Sequence, residues 1–304
     1  MQPVGSYGVW SATPTPFNND MHPDHASLER TVEHHINLGV RGVFIGGTCG
    51  EGTWMSRKDL YSVVETMSKA AAGRLLIAAQ VSDASSERII ENMECAAKAG
   101  ADFCVIATPL SNGAVSNSKM RQIYMDSIER CPTPVGIYDR GKYGPFVVSE
   151  EILAEAYRHP NVALVKDSSD DDTHIELAVK AREDRPELKL LTGYEFDTVK
   201  YLQAGYDGML LGGGVFNAII AAKIVAAVQN GDIEEAWKQQ NRMNELMYAV
   251  YGEGIKFWLA GLKKLLVEMG LFSTTNLHLE YEVTPECAAN VKQAMIDYKD
   301  ILWP

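Results

Sequence analysis

Over its first 229 residues the chain alternates short apolar runs with longer amphipathic segments, a pattern that few folds accommodate. Most of the runs are apolar at nearly every position, which is typical of parallel strands covered on both faces. The segments between them repeat apolar residues at helical spacing, for example in 56–72 and 84–99, where Ser56 and Ser85 are the predicted N-caps. The predicted strands span residues 8–12, 41–46, 75–81, 103–107, 134–138, 162–166, 188–192 and 208–212.

Three similar six-residue segments occur at 38–43 (LGVRGV), 99–104 (AGADFC) and 204–209 (AGYDGM). Each copy is typical of a helix that ends at a glycine and continues through a short loop into a strand. Eight such strands with their helices predict an α/β fold, a (β/α)8 TIM barrel over residues 1–229. A doubly wound sheet is less favoured, because no GxGxxG follows the first strand. Residues 230–304 show only helical patterns, at 232–249, 253–270 and 283–300, and we interpret them as a C-terminal helical extension.

The composition narrows the classes of function. The 304 residues carry a formal charge of −12, which argues against nucleic acid and anionic membranes as partners. Five scattered cysteines without a CxxC pair do not suggest a disulfide scaffold or a zinc ribbon. The opening MQPVGSYGVWSATP lacks the features of a signal peptide, and no run of 18 apolar residues is present, so we expect a cytoplasmic protein.

In a barrel of this kind the active site forms at the carboxyl ends of the strands. Lys166 directly follows the apolar run at 162–165, and a lysine that loses solvent there acquires the lowered pKa that a Schiff-base nucleophile needs. The alternative is a lysine whose amine lies in water or pairs with Asp167. Tyr138 ends the preceding strand, where its phenol could transfer protons for the amine, or could simply be a satisfied core side chain.

Two glycine-rich turns follow other strands. Residues 46–51 (GGTCGE) bring the amides of Gly47 and Cys49 and the hydroxyl of Thr48 to a place where they could bind a carboxylate. No matching histidine accompanies Cys49, so we interpret it as a packing residue. Residues 212–214 (GGG) indicate either a phosphate site or close helix–strand packing, and we favour packing.

These motifs together resemble the pyruvate-dependent class I aldolase family, which includes dihydrodipicolinate synthase, N-acetylneuraminate lyase and the 2-keto-3-deoxy sugar acid aldolases and dehydratases. Residues 13–17 (TPTPF) are similar to the TPF motif near the start of that family's sequences. Residues 47–51 (GTCGE) are similar to its G-[TS]-[TS]-G-E loop. Tyr138 and Lys166 are 28 residues apart, as in the family. The segment VKDSS at 165–169 is similar to the lysine signature of the family, in the variant found in its sugar acid branch.

The resemblance implies a role for each matching residue. Lys166 forms an imine with the ketone of a 2-keto acid, and Tyr138 is the proton shuttle. Thr48 orients that tyrosine and, with the Cys49 amide, holds the α-carboxylate, while the backbone carbonyl of Leu210 faces the bound keto acid. The resemblance also implies that no cofactor or metal is needed and that the protein is a homotetramer.

Departures from the family pattern favour one branch. After Tyr138 the synthases and lyases usually carry Asn-x-Pro, whereas this chain has residues 139–141 (DRG), and Arg140 and Lys142 are the candidates to bind a second substrate carboxylate. After strand 4 the chain has residues 109–111 (PLS) where the synthase carries a tyrosine pair. We therefore expect a lyase that cleaves or dehydrates a 2-keto-3-deoxy sugar acid or another 4-hydroxy-2-oxo acid.

Three alternatives stay open. The first is dihydrodipicolinate synthase itself, which condenses pyruvate with aspartate semialdehyde. The second is a barrel that binds a keto acid without catalysis. The third is a metal-dependent aldolase that uses Glu51, Asp139 or Glu195.

Overall fold

The computed structural model of the protein describes residues 7–109 and 115–303, so Leu110 and Ser111 of the departure after strand 4 lie outside the described residues. Within these residues, eight parallel strands close into a barrel in chain order, with the first strand paired to the last. The predicted (β/α)8 TIM barrel is confirmed. The strands are β1 (Gly8–Ala12), β2 (Gly42–Ile45), β3 (Leu76–Gln80), β4 (Phe103–Ala107), β5 (Val135–Asp139), β6 (Val162–Asp167), β7 (Lys189–Thr192) and β8 (Gly208–Leu211).

A helix follows each strand, and Ser56 and Ser85 are N-caps as predicted, since their hydroxyls accept from the amides of Asp59 and Arg88. None of the helices in the described part of the chain combines the length and apolar character that crossing a membrane requires. The helices are α1 (His25–Asn37), α2 (Arg57–Ala71), α3 (Ser86–Lys98), α4 (Asn117–Arg130), α5 (Glu150–Arg158), α6 (Asp172–Asp184), α7 (Thr198–Gln203), α8 (Gly214–Gln229), α9 (Ile233–Tyr251), α10 (Trp258–Glu268), α11 (Pro285–Asp297) and α12 (Lys299–Leu302). Single 3₁₀ turns span Gly52–Trp54, Gly141–Tyr143, Glu195–Asp197 and Glu253–Ile255.

The strands have two buried faces because successive side chains alternate between the barrel interior and the helix layer. Trp10, Phe44, Tyr138, Leu164 and Leu210 belong to the cluster that fills the interior. A larger apolar cluster lies between the strands and the helices. This double burial explains why the strand segments are apolar at nearly every position.

The C-terminal helices form a layer on one side of the barrel. Helix α9 packs on α8, α10 and α11 pack on α9, and α12 returns to α8. The ring of Tyr251 on α9 meets that of Phe216 on α8 edge-on, with centroids 5.7 Å apart. The helical character of residues 230–304 agrees with the sequence pattern, and the division of the chain at residue 230 stays a prediction.

Candidate active site

A cavity of about 240 Å³ opens at the carboxyl ends of the strands. A neighbouring cavity of about 390 Å³ shares part of its wall, including Thr48, Tyr138 and Arg140. The barrel contributes the polar part of the first cavity, and the C-terminal helices contribute an apolar part. The residues that line the first cavity are Thr48, Cys49, Tyr138, Arg140, Tyr143, Lys166, Ser168, Gly193, Tyr194, Glu195, Phe196, Gly212, Met247, Tyr251, Ile255 and Trp258.

Lys166 lies on β6 with 5% of its surface exposed, and its side chain points into the barrel interior. Its Nζ lies 4.2 Å from the ring centroid of Tyr138 and 5.2 Å from that of Phe44. Within the described residues no carboxylate lies within ion-pair distance of this amine. Asp167 does not pair with it, because its carboxylate accepts from the Tyr206 hydroxyl at 2.6 Å on the outer face of the strand. Lys166 is therefore a buried amine beside a phenol and a cavity.

Tyr138 ends up beside Lys166 because the two residues are direct partners in the register of β5 and β6. Its ring meets Phe44 edge-on at 5.9 Å, and its hydroxyl makes no hydrogen bond to any described residue. Thr48 lines the same cavity, but no hydrogen bond joins it to Tyr138 within the described part of the chain. The role of Thr48 in orienting the phenol stays a prediction.

The loop that carries Thr48 and Cys49 is tightly folded. A Cβ on Gly52 would lie 2.0 Å from the carbonyl oxygen of Gly46, and one on Gly47 would lie 2.5 Å from the Phe44 ring. Burial raises the pKa of the Cys49 thiol to about 12, so the thiol is protonated at neutral pH. This state agrees with the interpretation of Cys49 as a packing residue.

Of the two cationic candidates after β5, only Arg140 reaches the cavities within the described residues. Arg140 lines both of them. Lys142 instead has its Nζ 3.1 Å from the Asp170 carboxylate, and 58% of its side chain is exposed. The structure thus brings Arg140, and not Lys142, to the wall that surrounds the Lys166 amine.

The glycines at 212–214 are positions of close packing. A Cβ on Gly212 would lie 2.7 Å from the Glu195 carboxylate and 2.8 Å from the Cys49 sulfur, and one on Gly214 would lie 2.8 Å from the carbonyl oxygen of Trp10. Both carboxylate oxygens of Glu195 accept from the amide of Gly213 at 3.0 Å. The position that a bound phosphate would take at the start of α8 is therefore filled by a carboxylate of the chain itself.

The carboxylates proposed for a metal-dependent alternative lie in three different places. Glu51 pairs with Lys263, Asp139 with His174 on the outer face of the barrel, and Glu195 caps α8. Burial raises the pKa of Glu195. Over residues 7–109 and 115–303, no three histidine, cysteine, aspartate or glutamate side chains converge as a metal site would require.

Sequence reasoning missed several parts of the site. Gly193 must be small, because a Cβ there would lie 2.6 Å from Cε of Lys166 and 3.3 Å from the carbonyl oxygen of Leu210. The Ser168 hydroxyl lines the cavity and has no hydrogen-bond partner in the described part of the chain. Met247 and Trp258 belong to the C-terminal helices. They were missed because the prediction considered only residues at the ends of strands. The available signals were the positions of Ser168 and Gly193 directly after β6 and β7.

Comparisons with known proteins identify the family of the chain. The model of the dihydrodipicolinate synthetase family matches residues 6–294. A 4-hydroxy-tetrahydrodipicolinate synthase of Chlorobium phaeobacteroides is 28% identical over 233 residues, which cover 76% of this chain and 77% of that protein. An N-acetylneuraminate lyase 2 of Escherichia coli is 27% identical over 275 residues, which cover 88% of this chain and 86% of that protein.

Solved structures share the fold. CdNal from Clostridium difficile, in complex with mannosamine, superposes with a TM-score of 0.87 at 20% identity and covers 96% of this chain and 99% of that chain. YagE from Escherichia coli K12, in complex with pyruvate, superposes with a TM-score of 0.84 at 18% identity. The match covers 96% of this chain and 98% of that chain. At these identities the likeness concerns the fold, and the relatives carry the names of both branches. From the match over residues 6–294, the chain belongs to the dihydrodipicolinate synthetase family of lyases and synthases, as its motifs predicted.

Proposed function

We propose that the protein is a Schiff-base lyase in which Lys166 forms an imine with a 2-keto acid. The observation that carries this proposal is the Lys166 amine, which is buried, faces a cavity and has no carboxylate partner among the described residues. Only a neutral amine attacks a carbonyl, and no carboxylate of the described residues holds this amine in an ion pair. The Tyr138 ring, 4.2 Å away, places a phenol where protons must move.

The chemistry follows from the imine. The neutral amine attacks C2 of the keto acid, and water leaves, which makes C2 an electron sink. In cleavage, a base takes the proton of the C4 hydroxyl and the C3–C4 bond breaks. C4 leaves as an aldehyde, and the electron pair of the broken bond forms an enamine with C3 and C2. Protonation of C3 and hydrolysis then release pyruvate. In dehydration, C3 loses a proton, and the C4 hydroxyl takes up a proton and leaves as water. We assign these proton transfers to Tyr138.

The remaining residues bind the substrate in this proposal. Thr48 and the amides of Gly47 and Cys49 hold the α-carboxylate, and the Leu210 carbonyl faces the keto acid. Arg140 binds the distal end of the substrate. Lys142 has no such role in this proposal, because its amine pairs with the Asp170 carboxylate. The unpartnered Ser168 hydroxyl suits a substrate hydroxyl, which supports a 2-keto-3-deoxy sugar acid or another 4-hydroxy-2-oxo acid.

The experiment that tests this proposal is covalent trapping. The protein is incubated with pyruvate and reduced with borohydride, and the mass of the intact protein is measured before the modified residue is mapped. We expect one adduct, on Lys166, and none in Lys166→Met. An unmodified parent protein would contradict the imine. An adduct without turnover of any substrate in the panel below would support the non-catalytic alternative.

A substrate panel then separates the branches. The second candidate is 4-hydroxy-tetrahydrodipicolinate synthase, which is the name of the Chlorobium relative. We expect release of pyruvate from, or dehydration of, a 2-keto-3-deoxy sugar acid. Rapid consumption of aspartate semialdehyde in the presence of pyruvate would favour the synthase instead.

Assembly and location are part of the proposal. We propose a homotetramer, on the resemblance to the family, and a cytoplasmic location, on the sequence patterns described above. Light scattering coupled to size exclusion measures the mass in solution, and a monomeric mass would contradict the tetramer.

A further inference from the structure

The outer faces of β5 and β6 carry buried ionisable groups that the proposed chemistry does not use. Tyr138 and Lys166 point into the barrel, so the next residue of each strand, Asp139 and Asp167, points towards the helices. The register places these two aspartates side by side. Their exposed fractions are 5% and 1%. We call Asp139 and Asp167 the outer carboxylate pair.

Each member of the pair closes the turn that directly follows a reactive residue. Asp139 Oδ1 accepts from the amide of Gly141 at 2.9 Å, and Asp167 Oδ1 accepts from the amide of Ser169 at 2.8 Å. Such side-chain bonds two residues onward fix the path of the backbone. An Asn-x-Pro sequence would have no amide hydrogen at the third position, so this bond requires a residue other than proline at 141. The placement of the phenol and the amine therefore rests on the outer carboxylate pair.

The other oxygen of each aspartate is held by the helix layer. Asp139 Oδ2 accepts from the hydroxyl of Tyr157 at 3.0 Å and lies 2.6 Å from Nδ1 of His174 on α6. Asp167 Oδ2 accepts from the hydroxyl of Tyr206 at 2.6 Å. Within the described residues, His174 is the only group bonded to the pair that can carry a positive charge. The other titratable groups that face this network are Tyr124 of α4, Tyr201 of α7 and Asp171 at the start of α6.

Two adjacent buried carboxylates repel each other, and an imidazolium offsets that repulsion. Burial, with the charge of Asp139, raises the pKa of Asp167 to about 6. The hydrogen bond to Asp139 raises the pKa of His174 above its ordinary value. The imidazolium is therefore present below that raised pKa. As the pH rises through it, the imidazolium is lost, and the outer carboxylate pair no longer has a bonded cation.

We propose that His174 is a positioning residue, which as an imidazolium bonded to Asp139 holds the turns after β5 and β6 and thereby the Tyr138 phenol and the Lys166 amine. This inference rests on the proposed function. It adds that the rate of proton transfer depends on a charge located behind the active site, outside the barrel interior. His174 contacts neither the cavity nor the reacting atoms, so its effect reaches them through Asp139.

The test uses His174→Gln, which keeps a donor for Asp139 and removes the charge. Exchange of the pyruvate methyl protons for deuterium is followed by NMR between pH 6 and pH 10 in the parent and the variant. We expect the variant to be slower by about tenfold at the acidic end and to equal the parent at the alkaline end. Dividing one rate by the other removes every pH effect that the parent and the variant share.

Two further variants complete the test. In the double variant Asp139→Asn/His174→Gln, the repulsion between the two carboxylates is gone, and we expect most of the rate at pH 6 to return. His25→Gln is the matched control, because His25 bonds Thr66 and no residue of this network, and its rate should equal that of the parent. Circular dichroism and borohydride trapping establish that each variant is folded and forms the imine.

The outcomes are distinguishable. A parent-to-variant ratio that is the same at every pH, or a double variant no faster than the single one, would overturn the role of His174 while leaving the imine intact. A parent protein that shows neither exchange nor a trapped adduct would overturn the proposed function itself, and this inference with it.

Discussion

Lys166 and Lys263 are two buried lysines in similar aromatic surroundings but with different partners. The Nζ of Lys166 lies 4.2 Å from the ring centroid of Tyr138, and the Nζ of Lys263 lies 4.3 Å from that of Phe17. Lys263 has Glu51 Oε1 at 2.5 Å and the carbonyl oxygen of Asn276 at 2.7 Å. Lys166 has no such partner in the described part of the chain and faces a cavity instead.

Burial is common to the two lysines, and the presence of a carboxylate partner separates them. Lys263, on α10, is held in place by the carboxylate of Glu51, which belongs to the loop that carries Thr48 and Cys49. The other oxygen of Glu51 accepts from the amide of His278 at 2.6 Å, and Glu51 itself has a left-handed backbone with φ 54°. This ion pair therefore joins the C-terminal helices to a loop of the candidate site. Lys166 is left available for a substrate.

The same substitution in the two lysines should produce opposite results. Lys166→Met should lower turnover more than about a thousandfold, because no other amine faces the cavity within the described residues, and should leave the free energy of unfolding nearly unchanged. Steady-state rates and urea unfolding measure the two effects. Turnover within tenfold of the parent would remove Lys166 from the mechanism.

Lys263→Met should instead destabilise the protein by about 3–5 kcal/mol, because it leaves the Glu51 carboxylate buried without its partner. Urea unfolding measures the loss. The double variant Glu51→Gln/Lys263→Met should recover most of the stability, since it removes the unpaired charge as well. A single variant as stable as the parent would show that the ion pair does not hold the loop.

A third buried base, His35 on α1, sharpens the comparison, since it has neither a carboxylate partner nor a cavity. Burial, with the charge of His34 as a smaller cause, lowers the pKa of His35 to about 3. In the unfolded chain its pKa is about 6.5, so its contribution to stability is complete above that pH and is lost as the pH falls towards 3. At pH 4.5 the loss should reach about 2–3 kcal/mol.

Urea unfolding between pH 7 and pH 4.5 measures this dependence, and His35→Leu should flatten it relative to the parent. His22, whose side chain is 66% exposed, offers the control His22→Gln, which should keep the slope of the parent. Equal slopes for the parent and His35→Leu would mean that His35 is not buried as a neutral ring.

The smallest effect is expected for Lys142, an exposed lysine with a carboxylate partner. Lys142→Met should change stability by less than about 1 kcal/mol, because surface ion pairs contribute little. It should also leave KM unchanged, whereas Arg140→Met should raise KM, since Arg140 lines the cavity. A clear rise in KM for Lys142→Met would return that lysine to the substrate-binding role that the sequence allowed.

Much of the candidate site could be predicted because its signals are local. Lys166 at the end of an apolar run and the GTCGE loop are contiguous patterns, and Tyr138 meets Lys166 because their strands are neighbours in sequence. Glycine at 193 gave no such signal, since its requirement for a small residue comes from the Lys166 side chain packed against it. His174 was missed because an isolated histidine in a helix does not indicate which strand residue it will bond.

The sequence by itself determined the barrel and indicated Lys166 as the candidate amine, because hydrophobic periodicity and strand-end chemistry are properties of neighbouring residues. Only the tertiary structure decided which charges meet. Glu51 and Lys263 are 212 positions apart, and Asp139 and His174 are 35 apart, yet both pairs are buried and hydrogen-bonded. The strength of an electrostatic interaction depends on distance and on exclusion of water, and folding sets both for residues that are distant in the chain.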